Sequence, residues 1–128
     1  MIPHVIEVVS FGYRYGSPDS LALCYDLRSL VNPAGRKHAH QFPQLNGTHS
    51  AVASFVLSDP RAHAILDSAL HDACLLLGRK SGRVPIRIGF GCFAGRHRSV
   101  VLANEFSRRL RRKGIPARVI HLSMKTKG

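Results

Sequence analysis

The stretch RVPIRIGFGCFAGRHRSVVLANEFSRRLRRKGIPARVIHLS, Arg83 to Ser123, changes periodicity twice. RVPIRIGFG is a short apolar run marked by glycines, as in a buried strand. From Ser99 to Lys113, Leu102, Phe106 and Leu110 fall on one stripe of a helix, which Gly114 stops and Pro116 cannot continue. PARVIHLS then reads as a second strand. A strand, a helix and a strand joined by short turns require a crossover, so the two strands run parallel in one sheet.

The rest of the chain extends this pattern. IPHVIEVVSFG is a β-branched run ending at Phe11-Gly12, and Tyr13 to Pro18 form a loop. LALCYDLRSL is a further strand with Asp26 and Arg28 near its end. VNPAGRKHAHQFPQLNG reads as a loop and THSAVASFVL as a short helix. Asp59 caps the next helix, Pro60 suits its first turn, and Gly78 is placed to end it. Its stripe is Ala62, Ile65, Leu66, Ala69, Ala73, Leu76 and Leu77, which leaves Arg61, His63 and Asp67 on the solvated face. The expected fold is α/β: a mainly parallel, Rossmann-like sheet of four strands with helices on its faces. Its 128 residues suit one domain over 1–128. Ligands in such sheets bind at the carboxyl ends of the strands.

Three strand ends carry chemistry. They are Phe11–Pro18, Asp26–Asn32 and Gly91–Ser99, and in the last a strand feeds a glycine turn crowded with Arg96, His97 and Arg98 before a helix begins. Cations oppose the positive end of a helix dipole, so the crowding suits a site that holds an anion. Backbone N–H groups of the turn can point into one concavity, Arg98 can grip two anionic oxygens, and Ser99 can donate a hydroxyl. The structural alternative is a small buried Cys92 with basic side chains turned to water. Asp26 either belongs to this site or pairs with Arg28 or Arg98 as a purely structural ion. His121, in an apolar strand, reads as a hydrogen-bonded core residue.

Charge supports an anionic partner. Nineteen Lys and Arg face seven Asp and Glu, a formal net charge of +12. Arg108, Arg109, Arg111, Arg112 and Lys113 cluster at one helix end, with Lys125 and Lys127 in the tail, and this is the candidate RNA-contacting surface. The same cluster complements a helix C-terminus. The odd count of three cysteines, without a C-x-x-C pair, fits a reducing cytosol, and Cys24 and Cys74 read as small buried residues. No metal site or cofactor is expected. No apolar run nears the roughly 20 residues of a membrane span, and the N-terminus lacks a signal-peptide pattern, so a cytoplasmic location is expected.

Cys92, Gly95, Arg98 and Ser99 also fit C-x-x-G-x-x-R-S, which resembles the phosphate loop of protein tyrosine phosphatases. Such chemistry needs a thiolate at Cys92 and an acid for the leaving group, with Asp26 and Asp59 the only obvious acids upstream. Gly91 stands where that family has a histidine. A cysteine-dependent phosphatase is therefore the alternative to a binding module without enzymatic activity.

A second resemblance covers nearly the whole chain. FGYRYGSP at Phe11–Pro18, YDLRSLVNP at Tyr25–Pro33, NGTHSAVASFV from Asn46, and GCFAGRHRSV at Gly91–Val100 occur in the order and spacing of the C-terminal domain of the RNase adapter protein RapZ family. Full-length members of that family carry an N-terminal Walker A domain. No G-x-x-x-x-G-K-S/T occurs here, so the chain resembles that C-terminal module alone. The resemblance implies an α/β domain similar to part of a sugar-phosphate kinase fold. It implies a module that binds RNA and senses an amino-sugar phosphate. The expected function is a regulatory module that binds a phosphosugar or nucleotide, with RNA and an RNA-processing enzyme as expected partners and a homo-oligomer as a further expectation. The resemblance implies a ligand pocket of Asp26, Arg28, Asn32, Cys92, Gly95, His97, Arg98 and Ser99. The chain departs from the family at Phe93 and Ala94, usually Thr and Gly, and at Ala34, where a pocket histidine follows the Asn-Pro. The basic C-terminal stretch is reduced to MKTKG.

Overall fold

The elements follow in the order β1 (Ile6–Gly12), a 3-10 turn (Tyr13–Tyr15), β2 (Leu23–Asp26), α1 (Ser50–Leu57), α2 (Pro60–Arg79), β3 (Ile86–Cys92), α3 (Arg98–Arg112) and β4 (Ala117–His121). They are seen in a computed structural model that describes residues 5–35, 38, 41–42, 44–79 and 85–124. The strands form one sheet in the order β2-β3-β1-β4, every pair parallel, which is the α/β, Rossmann-like arrangement expected. The register aligns Gly12 with Cys92 and Asp26 with Gly91, so three strands end side by side.

Strand alternation sorts side chains onto two faces. Ile6, Val8, Ile86, Ile88 and Phe90 point to one of them, where they join Val52 and Val56 of α1, Leu66 and Ala69 of α2, and Leu102, Phe106 and Leu110 of α3 in one core. All three helices thus cover the same face. Tyr25 reaches from β2 to α2 and donates its hydroxyl to Asp72 at 2.6 Å.

The connection from β1 to β2 covers part of the other face. Here β3 carries Gly89 and Gly91, and the reason is close approach. A Cβ on Gly89 would lie 2.6 Å from Leu21 Cδ1, and one on Gly91 would lie 2.5 Å from the Phe11 ring. Further along this face Glu7 stands between Arg87 and Arg118, its register neighbours on both sides, and pairs with each.

The helix signals act as expected, with one exception. The Asp59 carboxylate accepts from the Arg61 N–H at 3.0 Å and caps α2. Gly114, at φ 79°, closes α3. Gly78 does not close α2: the helix runs on to Arg79, and Gly78 is not among the glycines with positive φ. Cys24 and Cys74 correct another expectation, since both are exposed and only Cys92 is buried. Cys24 alternates with the inward Leu23 and Tyr25 on an edge strand, and Cys74 lies just off the buried stripe at Ala73. His121 is the hydrogen-bonded residue expected: its Nδ1 meets Ser10 Oγ at 2.5 Å and its Nε2 meets Asn104 Oδ1 at 3.1 Å.

Candidate functional site

The turn between β3 and α3 lies directly on the end of β1. Gly95 takes φ 77°, a conformation that favours glycine, and its Cβ would meet Gly12 N at 2.5 Å. Gly12 is equally constrained, because its own Cβ would meet the Ala94 carbonyl carbon at 2.4 Å. The Gly12 N–H donates to Ser123 Oγ at 3.2 Å. A second segment braces the turn from the side. The Gly47 N–H donates to the Arg96 carbonyl, and His97 Nε2 donates to the Leu45 carbonyl, both at 2.7 Å. Burial pushes the His97 ring below its ordinary pKa, which keeps it neutral in that role.

This bracing leaves the head of α3 open. Among the described residues no side chain caps the helix, and its first turn contains no acid. The N–H groups of a first turn have no partners inside the helix. Beside them is a cleft of about 320 Å³ lined by Arg14, Arg96 and Arg98, together with Asn32, Cys92, Phe93 and His97. Among the described residues, three arginines and no carboxylate line this space.

Arg98 is buried, at 5% exposure, and is only partly engaged. Its Nη1 donates to the carbonyls of Arg28 at 3.0 Å and Leu30 at 3.1 Å, with Leu27 at 3.4 Å. Its Nε is buried with no hydrogen-bond partner among the described residues, and so is the Nε of Arg96. Burial lowers the Arg98 pKa, while Cys92 and Asp26 act against that shift. The Cys92 thiol donates to Ser99 Oγ at 3.2 Å, and both groups are buried.

Of the eight candidate pocket residues, Asn32, Cys92, His97 and Arg98 line the cleft. Gly95 and Ser99 are buried and are not among its lining residues. Asp26 and Arg28 form an exposed pair with each other at 2.7 Å, and the Arg28 guanidinium lies 4.0 Å from the centre of the Tyr13 ring. The Arg28 hydrogen bond holds Asp26 below the usual carboxylate range. Asn32 Oδ1 is occupied by the Ala34 N–H at 3.0 Å. Arg14 and Phe93 line the cleft but were not candidates. Only the fold brings Arg14, in the 3-10 turn after β1, beside the β3 turn. Arg96 lies within the basic string, and sequence alone does not separate it from Arg98.

The basic cluster at the far end of α3 divides in two. Glu105 pairs with Arg108 and Arg109 at 3.1 Å and with Arg112 at 3.9 Å, and Arg109 also reaches Asp67 on α2 at 3.1 Å. Among the described residues, Arg111 and Lys113 are exposed and have no acidic partner. Lys125 and Lys127 lie outside the described residues. Among the described residues, no helix is long and apolar enough to cross a membrane, and no group of three or more His, Cys, Asp or Glu is placed to hold a metal.

Comparison with known proteins gives a match to the RapZ C-terminal domain over residues 4–125. A nucleotide-binding protein of Sorangium cellulosum is 39% identical over 116 residues, which cover 88% of this chain and 32% of that protein. One of Trichlorobacter lovleyi is 37% identical over 121 residues, 91% of this chain and 40% of its own length. One of Corynebacterium aurimucosum is 37% identical over 114 residues, 85% of this chain and 37% of its own. The chain therefore spans 32% to 40% of the length of these relatives.

Proposed function

Because the chain belongs to the RapZ C-terminal domain family, we propose that it is a regulatory binding module whose cleft at the head of α3 takes the phosphate of a phosphosugar or nucleotide. The observation that carries this reading is Arg98, a buried cation that lines the cleft beside an uncapped helix start and has no acidic partner among the described residues. A buried cation without an opposite charge is costly, and an anion in the cleft beside it supplies that charge. Arg14 and Arg96 add charge from the rim, and the names of relatives as nucleotide-binding proteins agree with a phosphorylated ligand.

Binding fits the site better than hydrolysis. Both carboxylates considered as proton donors are held as ions: Asp26 by Arg28, and Asp59 by Arg61, which pushes it down to about 2. Neither is set to protonate a leaving group near neutral pH.

The test is thermal unfolding against inorganic phosphate and a phosphosugar, in wild type and Arg96→Ala. Ligand that binds only the folded state raises the midpoint with concentration. The expected result is a rise in wild type that Arg96→Ala largely removes. An equal rise in the variant places the anion elsewhere.

RNA and an RNA-processing enzyme are the macromolecular partners in this reading. Exposed Arg111 and Lys113, with no acid of the described chain beside them, favour contact with phosphate backbone at the far end of α3.

A further inference from the structure

The rim of the cleft carries a group that phosphate does not use. Phe93 follows Cys92 into the turn, lines the cleft, and is 53% exposed. It contributes nothing to the core, whose aromatic members from the sheet and α3, Phe90 and Phe106, are fully buried. Its position is nevertheless fixed. The Arg14 N–H donates to the Phe93 carbonyl at 3.1 Å, which ties the 3-10 turn after β1 to the turn after β3. The Arg14 guanidinium then lies 5.4 Å from the centre of the Phe93 ring and 5.5 Å from that of Tyr15. The Phe93 ring and the Arg14 guanidinium are thus held together on the lining of a cationic cleft.

An exposed ring and a guanidinium plane both bind the faces of flat heteroaromatic molecules, and the attraction depends little on which base is offered. A bare phosphate has no such face. At about 320 Å³ the cleft is larger than one phosphate needs and sits at the lower end of small-ligand sites, roughly 300–1,000 Å³. We infer that the ligand is a nucleoside monophosphate, with its phosphate at Arg96, Arg98 and the opening N–H groups of α3 and its base stacked on Phe93 beside Arg14. This assignment rests on phosphate binding in the same cleft and adds the half of the ligand that the arginines do not read.

Calorimetric titration with AMP, ribose 5-phosphate and inorganic phosphate separates the two claims. AMP and ribose 5-phosphate share sugar and phosphate and differ in the base. In wild type AMP is expected to bind about tenfold tighter than ribose 5-phosphate, the scale of one base stack. Phe93→Ala is expected to collapse that ratio, and Arg96→Ala to weaken all three ligands together. Phe93 is exposed, so its truncation leaves the core intact. Equal affinity of AMP and ribose 5-phosphate in wild type overturns the base stack and leaves phosphate binding standing. An AMP preference that survives Phe93→Ala also overturns it. If none of the three ligands binds, both readings fall.

Discussion

Arg98 donates from Nη1 to the Leu30 carbonyl at 3.1 Å, joining the head of α3 to a turn 68 residues earlier in the chain. The same nitrogen holds Arg28 O, so the segment after β2 is folded around a guanidinium. Arg98 is thus a structural clasp as well as a cleft residue. Arg98→Ala leaves those carbonyls without their charged donor in a buried place. Its expected cost is about 3 kcal/mol or more in urea unfolding, because hydrogen bonds to charged groups are the stronger kind. Arg98→Lys should recover only part, since an ammonium lacks the planar fork. A loss below about 1 kcal/mol in the alanine variant would show that the carbonyls find other partners. This double role is why Arg96 is the better probe of anion binding.

Most of the scaffold was legible because periodicity reports burial directly. Leu102, Phe106 and Leu110 were assigned to one stripe by spacing alone, and all three are fully buried. The strand-turn-helix run likewise fixed where α3 begins to within a residue. What stayed hidden depends on which strands become neighbours. Cys24 is exposed because β2 is an edge strand, and no local pattern states that. Gly89 and Gly91 fall within the expected strand, but local pattern does not say that they leave space for Leu21, Tyr13 and Phe11. The clasp at Arg98 and the stack of Arg14 on Phe93 join residues far apart in sequence, so composition could offer the charges but not their partners.

Two imidazoles should make the fold sensitive to acid above the carboxylate range. Burial lowers the pKa of both His97 and His121 from the ordinary 6.5. His97 is tied to Leu45 O, and His121 bridges Ser10 and Asn104, so neutral rings serve the fold. With the folded values depressed, the unfolded chain takes up protons first as pH falls. Their contribution is complete above about pH 6.5 and is lost through the window beneath it, until the folded rings are protonated too. Asp26 and Asp59, also depressed, extend the loss below their ordinary 3.8, for Asp59 down to about 2. The urea midpoint should therefore drop between about pH 6.5 and about pH 5.5, and His121→Gln should lessen the drop. A midpoint that stays constant across this interval would rule out the two imidazoles as the source of acid sensitivity.

The basic end of α3 should separate charge that holds the fold from charge that meets RNA. Arg109 bridges Glu105 and Asp67, and Arg108 and Arg112 are drawn to the same Glu105. Arg111 and Lys113, by contrast, have no acid to leave before they can contact a phosphate. Each phosphate contact with single-stranded nucleic acid contributes a salt slope of about 0.7. Replacing Arg111 and Lys113 together by Ala should flatten the slope of RNA affinity against salt by about 1.4 and leave thermal stability nearly unchanged. Arg109→Ala should do the reverse, lowering stability through the lost tie between α2 and α3 while changing the slope less. The cleft and the basic end stand at opposite ends of a helix of 15 residues, about 20 Å apart, so the double variant should keep wild-type affinity for AMP and inorganic phosphate. Binding of one RNA measured across a salt series in the three proteins decides the matter. If the double variant keeps the full slope, Arg111 and Lys113 serve only the helix dipole and the solvent.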